Sequence, residues 1–319
     1  MTPLVTRAKR LLLKLANYPR YGPVGLDDPQ EAIEVWLQGP GEPRNVTHNN
    51  VIAALRPFTI GVMFERNEAQ PREGQPFDLC MHDRRAPQQL LGVIHLRLAS
   101  TLDLTDHRFC LFEVDASENL CVPAVSLRLY YLEERRRAEK RRRKNPYNFQ
   151  MTPNDLRASH VFYICPRPVV LVSVEHEDSG NLFPMDLIGP TDSPWFSMAL
   201  RSTSPAVRLM QQSRRMALAS IPFAYQGIAY QLGKHHKLAN IDWTALPFAT
   251  ARSPLFNLRV PDAALRVREV SVKEFHEVGS HVLFITSVER ETTPGGAKSL
   301  QLFHAFESYR RYLSALALT

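Results

Sequence analysis

The feature that most restricts this chain is how its apolar residues are distributed. They fall in short β-branched or aromatic runs, such as FTIGVMF, FDLCMHD, PVVLVSVEHE and SHVLFITSVERET, separated by proline, glycine and aspartate clusters. Runs of that length bounded by turn residues read as strands. Proline outnumbers glycine, 24 to 14, which favours rigid loops over long helices because proline removes a backbone donor and blocks the helix interior. Strand and helix patterns do not alternate regularly, so an antiparallel barrel or sandwich is favoured over a doubly wound sheet. No repeat of fixed period is visible.

The 319 residues allow one large domain or two ordinary ones. In the first half, strands are expected at AIEVWLQ, FTIGVMF, FDLCMHD, QLLGVIHLRLAS and HRFCLFEVDA. The pattern SLRLYYLEERRRAEKRRRK then reads as a helix, with the Asn145-Pro146 boundary behind it. This divides the chain into 1–148, a module of unassigned role ending in a basic helix, and 149–319. In the second part, strands are expected at PVVLVSVEHE, WFSMALR, ALRVREVSVKEF, SHVLFITSVERET and LQLFHAF, with a helix over SPAVRLMQQSRRMALAS. Residues 1–20 read as a short basic amphipathic helix.

The formal charge is +7, and the run 135–144, with eight bases and one acid, accounts for all of it. A local run without interleaved aromatics reads as a solvated linker helix ahead of a nucleic-acid contact, and a nucleic-acid-associated protein using 135–144 stands last among the alternatives. No apolar stretch is long enough to span a bilayer, so no membrane partner is expected. Cys80, Cys110, Cys121 and Cys165 have neither disulfide-framework nor zinc spacing and read as buried thiols in a reducing cytoplasm. No dinucleotide, nucleoside-triphosphate or nucleophile-elbow motif is present. In HEVGSH (276–281) the histidines are five apart, and His235-His236 are adjacent. Neither pair suits one metal, no metal site is expected, and the second pair reads as solvated loop.

One constellation carries chemistry. In FSMALRSTSPAVRLM a strand through Ala199 and Leu200 delivers Arg201, Ser202, Thr203 and Ser204 to Pro205, which suits a first helical position. A helix N-terminus beside an arginine and three hydroxyls is a phosphate site. The same residues read equally well as a helix cap, with Arg201 paired to a surface acid.

The order PRPVVLVSV, NLFPMDLIGP, FSMALRSTSP, Gly279-Ser280-His281 and HAFESYRRY, over about 160–315, resembles the flavin-reductase family. The resemblance implies a mainly β (α+β) fold, an FMN-binding split β-barrel of Greek-key topology. The N-terminal half is then a strand-rich extension or companion module that covers the pocket or selects substrate. The resemblance implies FMN (or FAD) with its phosphate at Arg201–Ser204 and its ring along Phe183, Pro184, Met185, Asp186 and Leu187. It also implies His281 near the flavin or the nicotinamide pocket, Tyr309 near the end of the chain, and NAD(P)H as a transient electron donor. A homodimer whose subunits cover each other's cofactor and a monooxygenase partner belong to the same expectation. The expected activity is an FMN-dependent oxidoreductase, the alternative a flavin-binding module without catalysis. The chain departs from the pattern at Ser280, where the family carries an acid. From the residues themselves, Asp186 also reads as a turn residue, His281 as a structural histidine, and Trp195 and Phe196 as core.

Overall fold

The computed structural model describes residues 21–27, 33–84, 86–144, 150–294 and 299–306. The expected N-terminal helix and Tyr309 lie outside them.

Two seven-stranded antiparallel sheets dominate. The first uses β2 (Ile33–Gln38), β3 (Arg44–Asn45), β4 (Val51–Leu55), β5 (Phe58–Glu65), β6 (Pro76–Asp83), β7 (Ala86–Asp103) and β8 (His107–Asn119). The second uses β10 (Val170–His176), β11 (Ser179–Met185), β12 (Ile188–Pro190), β13 (Trp195–Arg201), β14 (Arg215–Ser220), β17 (Arg266–Val278) and β18 (His281–Thr292). A small sheet joins β1 (Tyr21–Leu26) to β19 (Gln301–Phe306) and β9 (Arg167–Pro168), so strands from both ends of the described chain lie side by side.

The two large sheets share one topology. Their orders are β3-β2-β6-β7-β8-β5-β4 and β11-β10-β14-β17-β18-β13-β12. Numbered within each half, both run second, first, fifth, sixth, seventh, fourth, third. Register agrees as well. Glu65 at the end of the fourth strand faces His107 at the start of the seventh, and Arg201 faces His281 in the same way. Val51 faces Gly61 where Gly189 faces Ser197. The N-terminal half is therefore a second copy of the C-terminal sheet. The copy is invisible as a sequence period because two helices and the β15–β16 pair (Thr250–Arg252 and Arg259–Pro261) are inserted into the second copy only.

The halves share cores. Val51, Ala53, Met63, Phe109 and Leu111 pack with Leu283 and Ile285. Leu187, Ala199 and Phe306 join the cluster built on Ile33, Ile60 and Phe112. Each such side chain contributes about 1.5–3 kcal/mol on burial. The third strands meet at the junction, where Asn49 bridges Thr191. A Cβ on Gly189 would stand 2.8 Å from the Asn50 carbonyl oxygen, so glycine permits that approach.

Helix α1 (Ala124–Lys144) and helix α2 (Pro153–Phe162) connect the halves. In α2, Thr152 and Asp155 form a capping box with Pro153 in the first turn. The Asp155 carboxylate also accepts from the Phe58 amide at 2.9 Å and so pins α2 to β5. The helix expected over 204–220 stops early. Helix α3 is Pro205–Ser213, and Arg214 at φ 53° turns the chain into β14. RMALAS has helix-forming residues, but it is clamped between β10 and β17, where sheet pairing overrides local preference.

All four cysteines are free thiols, and burial raises Cys80 to about 11 and both Cys110 and Cys121 to about 12. No helix among the described residues is long and apolar enough to cross a membrane.

Candidate functional site

The expected clamp lies on the wall of a cavity of about 890 Å³. Strand β13 brings Ala199, Leu200 and Arg201 to it, and the start of α3 brings Thr203, Ser204 and Pro205. The β11–β12 connection adds Pro184, Met185, Asp186 and Leu187, and β18 adds His281. Two of the expected residues are placed elsewhere. Phe183 is fully buried among Val172, Met198 and Leu218 and does not line the cavity. Ser202 turns away from the cavity, and its amide donates to the Ser280 carbonyl at 3.2 Å.

Near the expected phosphate position the structure adds a cation that the sequence did not single out. A short 3-10 turn, Gly233–Lys237, folds against α3, and His236 and Lys237 line the cavity. The Ser204 hydroxyl donates to the His236 carbonyl at 2.7 Å, so it fastens this turn and does not cap its own helix. His235 is buried and hydrogen-bonded to the Leu182 carbonyl at 2.7 Å, and His236 bonds the Pro184 carbonyl at 2.7 Å. The pair is therefore packed structure, not the solvated loop expected of it. No signal in GKHHK marks its proximity to Ser204. Arg201, exposed at the rim, and Lys237 supply positive charge, Thr203 a hydroxyl, and α3 the positive end of its dipole, while Pro205 has no N–H and the Val207 amide is taken by the Ser204 carbonyl at 3.0 Å.

His281 is 1% exposed. Burial, and then the nearby Arg201 charge, lowers its pKa to about 4, so it is neutral at pH 7. Its Nδ1 lies 3.4 Å from the Leu55 amide, which donates, and 2.9 Å from the Ser280 hydroxyl. The Ser280 amide donates to the Arg56 carbonyl at 2.9 Å. Gly279 at φ 51° allows that contact, since its Cβ would be 2.5 Å from the same oxygen. The β4–β5 hairpin tip of the first half is thus seated on the site of the second, and Leu55 lines the cavity.

The floor is a polar cluster. Asp186 accepts from Tyr163 at 2.8 Å, from Tyr21 at 3.2 Å and from His304 Nδ1 at 2.7 Å. The other nitrogen of His304 meets the Tyr230 hydroxyl at 2.9 Å. Burial raises the Asp186 pKa, but the His304 hydrogen bond and charge and the two tyrosine hydroxyls outweigh it, and the net shift is downward. The same burial, with the Asp186 charge, holds the Tyr163 hydroxyl well above its usual range. Asp186 is therefore a buried anion with satisfied acceptors, not a simple turn residue. Only its own position was legible in the sequence, since its partners come from three distant segments.

Trp195 and Phe196 do not face the cavity. Trp195 packs edge-on to His107 at 5.8 Å, and Phe196 is core with Arg268 above its ring. Among the described residues no group of histidine, cysteine and carboxylate side chains has metal-binding geometry.

No family model matches this sequence, and no curated protein does. Solved structures do match. The chain resembles flavin reductases and FMN-binding split-barrel proteins. The FMN-binding protein of Thermus thermophilus with bound p-hydroxybenzaldehyde is 22% identical, over 40% of this chain and 72% of its own, with a TM-score of 0.36. The NADH:FAD oxidoreductase of Streptomyces globisporus C-1027 is 15% identical, over 50% of this chain and 94% of its own, with a TM-score of 0.42. The styrene monooxygenase flavin reductase of Pseudomonas putida S12 is 19% identical, over 43% and 87%, with a TM-score of 0.36.

The first half carries the same sheet order without the Arg201–Ser204 turn and the helix after it. After β5 comes Glu65-Arg66-Asn67-Glu68, with no helix before β6. The Arg66 guanidinium donates to the Leu104 carbonyl at 2.9 Å and the Thr105 carbonyl at 3.1 Å. Glu68 pairs with Arg44 at 3.0 Å. The acid–histidine pair missing at Ser280-His281 stands at the matching register here, as Asp106-His107.

Proposed function

We propose that the chain binds one FMN in the C-terminal cavity and acts as a flavin-dependent oxidoreductase. The observation that carries this reading is the convergence of Arg201, Thr203 and Lys237 at the start of α3 on a cavity walled by Pro184–Leu187 and His281. The residues fit the cofactor. Two cations, a hydroxyl and the positive end of a helix dipole suit a phosphate dianion. Leu55, Met185 and Leu187 supply apolar walls. FAD would share the phosphate contacts but needs room for its adenylate.

The bound flavin supplies reversible transfer of two electrons. The protein's part is to hold it and shape its surroundings. His281, neutral at pH 7, offers a hydrogen bond without adding charge beside Arg201. Asp186, held as an anion by His304 and two tyrosines, places negative charge at the cavity floor. Leu55 and the hairpin it ends cover the site from the first half. In that role the first half takes the place of a second subunit, so a single chain suffices for one covered site. A nicotinamide nucleotide is the expected electron donor, and a monooxygenase or small molecule the acceptor.

One absorption spectrum tests the reading. Protein purified with FMN, or reconstituted with it, should be yellow and bleach anaerobically on adding NADH or NADPH. A protein that stays yellow is a flavin-binding module without reductase activity. A colourless protein that FMN cannot reconstitute defeats both.

A further inference from the structure

The cavity continues past Leu55, Met151 and Leu156 into a second hollow of about 1010 Å³, between α1, α2 and the end of β8. Space of this size at the junction of packed elements is not left by ordinary core packing. Its walls are largely apolar, with Leu120, Leu127, Tyr131 and Leu132 facing Met151 and Leu156. Arginines stand among them. Arg128 and Arg135, two turns apart on one face of α1, line the hollow with Arg157 of α2, Arg141 and Arg201, against three carboxylates, Glu118, Glu134 and Glu139, so its lining carries more positive than negative charge.

The basic run thus divides into two populations. Arg137, Arg141 and Arg143 pair with Glu133, Glu134 and Glu139 along the helix. Among the described residues Arg128 and Arg135 have no acidic or hydrogen-bonding partner, and Arg157 only lies over the Tyr131 ring at 5.5 Å. All three are exposed, so they set positive charge at the edge of an apolar hollow where a ligand's anionic end can reach it from solvent.

We propose that this hollow is a binding subsite for a small organic anion with an apolar ring or chain. Arg128, Arg135 and Arg157 would hold its carboxylate or sulfonate, and Tyr131 and the leucines its body. That the anion is the flavin's substrate rests on the function proposed above; that it binds does not. The chain's own basic N-terminal segment is a poor occupant. Residues 1–20 contain five basic residues and no acid, so they repel these arginines. A dinucleotide or a nucleic acid carries charge along its length, whereas here apolar side chains and the carboxylates of Glu118, Glu134 and Glu139 stand among the arginines, which suits one terminal charge and opposes a polyanion.

The test uses the full chain with FMN added and equilibrium dialysis of two probes. One is 1-anilinonaphthalene-8-sulfonate, the other the neutral N-phenyl-1-naphthylamine. The sulfonate should bind at one saturable site per chain. Arg128→Gln with Arg135→Gln should weaken it at least about tenfold and the neutral probe less than about twofold. Ala138→Trp, on the wall of the hollow, should weaken both, with circular dichroism and thermal midpoint unchanged. Equal affinity for the two probes, or indifference of the sulfonate to the double replacement, overturns the proposal. So does full displacement of the sulfonate by equimolar NADPH or a short oligonucleotide. If FMN binds nowhere while the arginine-dependent sulfonate site persists, the proposed function falls and the subsite stands. If FMN binds and the sulfonate result is negative, the subsite falls alone.

Discussion

The two halves of this chain are one sheet topology put to different uses. In the second half the fourth strand ends at Arg201 and passes into α3, whose first turn faces a cavity. In the first half the same strand ends at Glu65, and the chain turns back through a loop whose arginine is spent on the Leu104 and Thr105 carbonyls. The sheet sets where a loop leaves it; the loop residues decide whether an anion is met there. The contrast teaches that a duplicated frame does not imply a duplicated site. What the first half retains is its hairpin, which reaches across to Ser280 and His281.

The sharpest way to break this contrast is to remove each arginine. Arg201→Ala should weaken FMN by about tenfold to a hundredfold, as loss of a charge-assisted contact does. Arg66→Ala should leave FMN affinity unchanged, and fluorescence titration should give one flavin per chain. Two flavins per chain, or equal losses, would show that both halves bind.

The seam between the halves comes next. Arg167, 2% exposed, donates to the Asn50 side chain and, at 3.4 Å, to its carbonyl, and stacks on Phe162. Asn50→Leu leaves a buried cation short of an acceptor and should cost about 3 kcal/mol in denaturant unfolding. A loss below 0.5 kcal/mol, on the order of a surface change, would mean the seam does not depend on this pair.

Gly279 offers a smaller, paired comparison. Gly279→Ala forces a Cβ against the Arg56 carbonyl at positive φ and should cost about 1–3 kcal/mol. At the matching position of the first half, exposed Thr105→Ala should stay within about 0.5 kcal/mol.

Acid should expose a difference tested with no counterpart substitution. The unfolded chain takes up a proton on His281 near pH 6.5, the folded one only near 4. The stability this neutral histidine contributes is complete above pH 6.5 and is lost as pH falls towards 4, at about 1.4 kcal/mol per pH unit. His160, lowered by burial to about 3, adds a second loss of the same sign. His281→Leu should flatten the fall of the thermal midpoint between pH 6.5 and 4. An unchanged slope would assign the acid sensitivity elsewhere.

Much of the strand content was legible because alternation and proline punctuation are local. FTIGVMF, WFSMALR and SHVLFITSVERET lie where their patterns put them. RMALAS was misread because its residues favour helix and only its neighbours β10 and β17 make it a strand. That Arg201 and the start of the next helix stand together was visible from Arg201 before Pro205, and the structure places both on a cavity wall. Lys237, Leu55, Tyr163 and His304 were not, because each arrives from a segment with no signal of its own.

By itself the sequence determined the local grammar: short strands, a helix start preceded by arginine and hydroxyls, and a basic run confined to one helix. Those depend on neighbours within a few residues, where backbone preference and capping act. Only the tertiary structure decided that the first half repeats the second, that its hairpin closes the second half's cavity, and that four arginines of the run and its neighbours line a hollow. These rest on contacts between residues far apart in sequence, which pair only when both sheets and their shared core are formed.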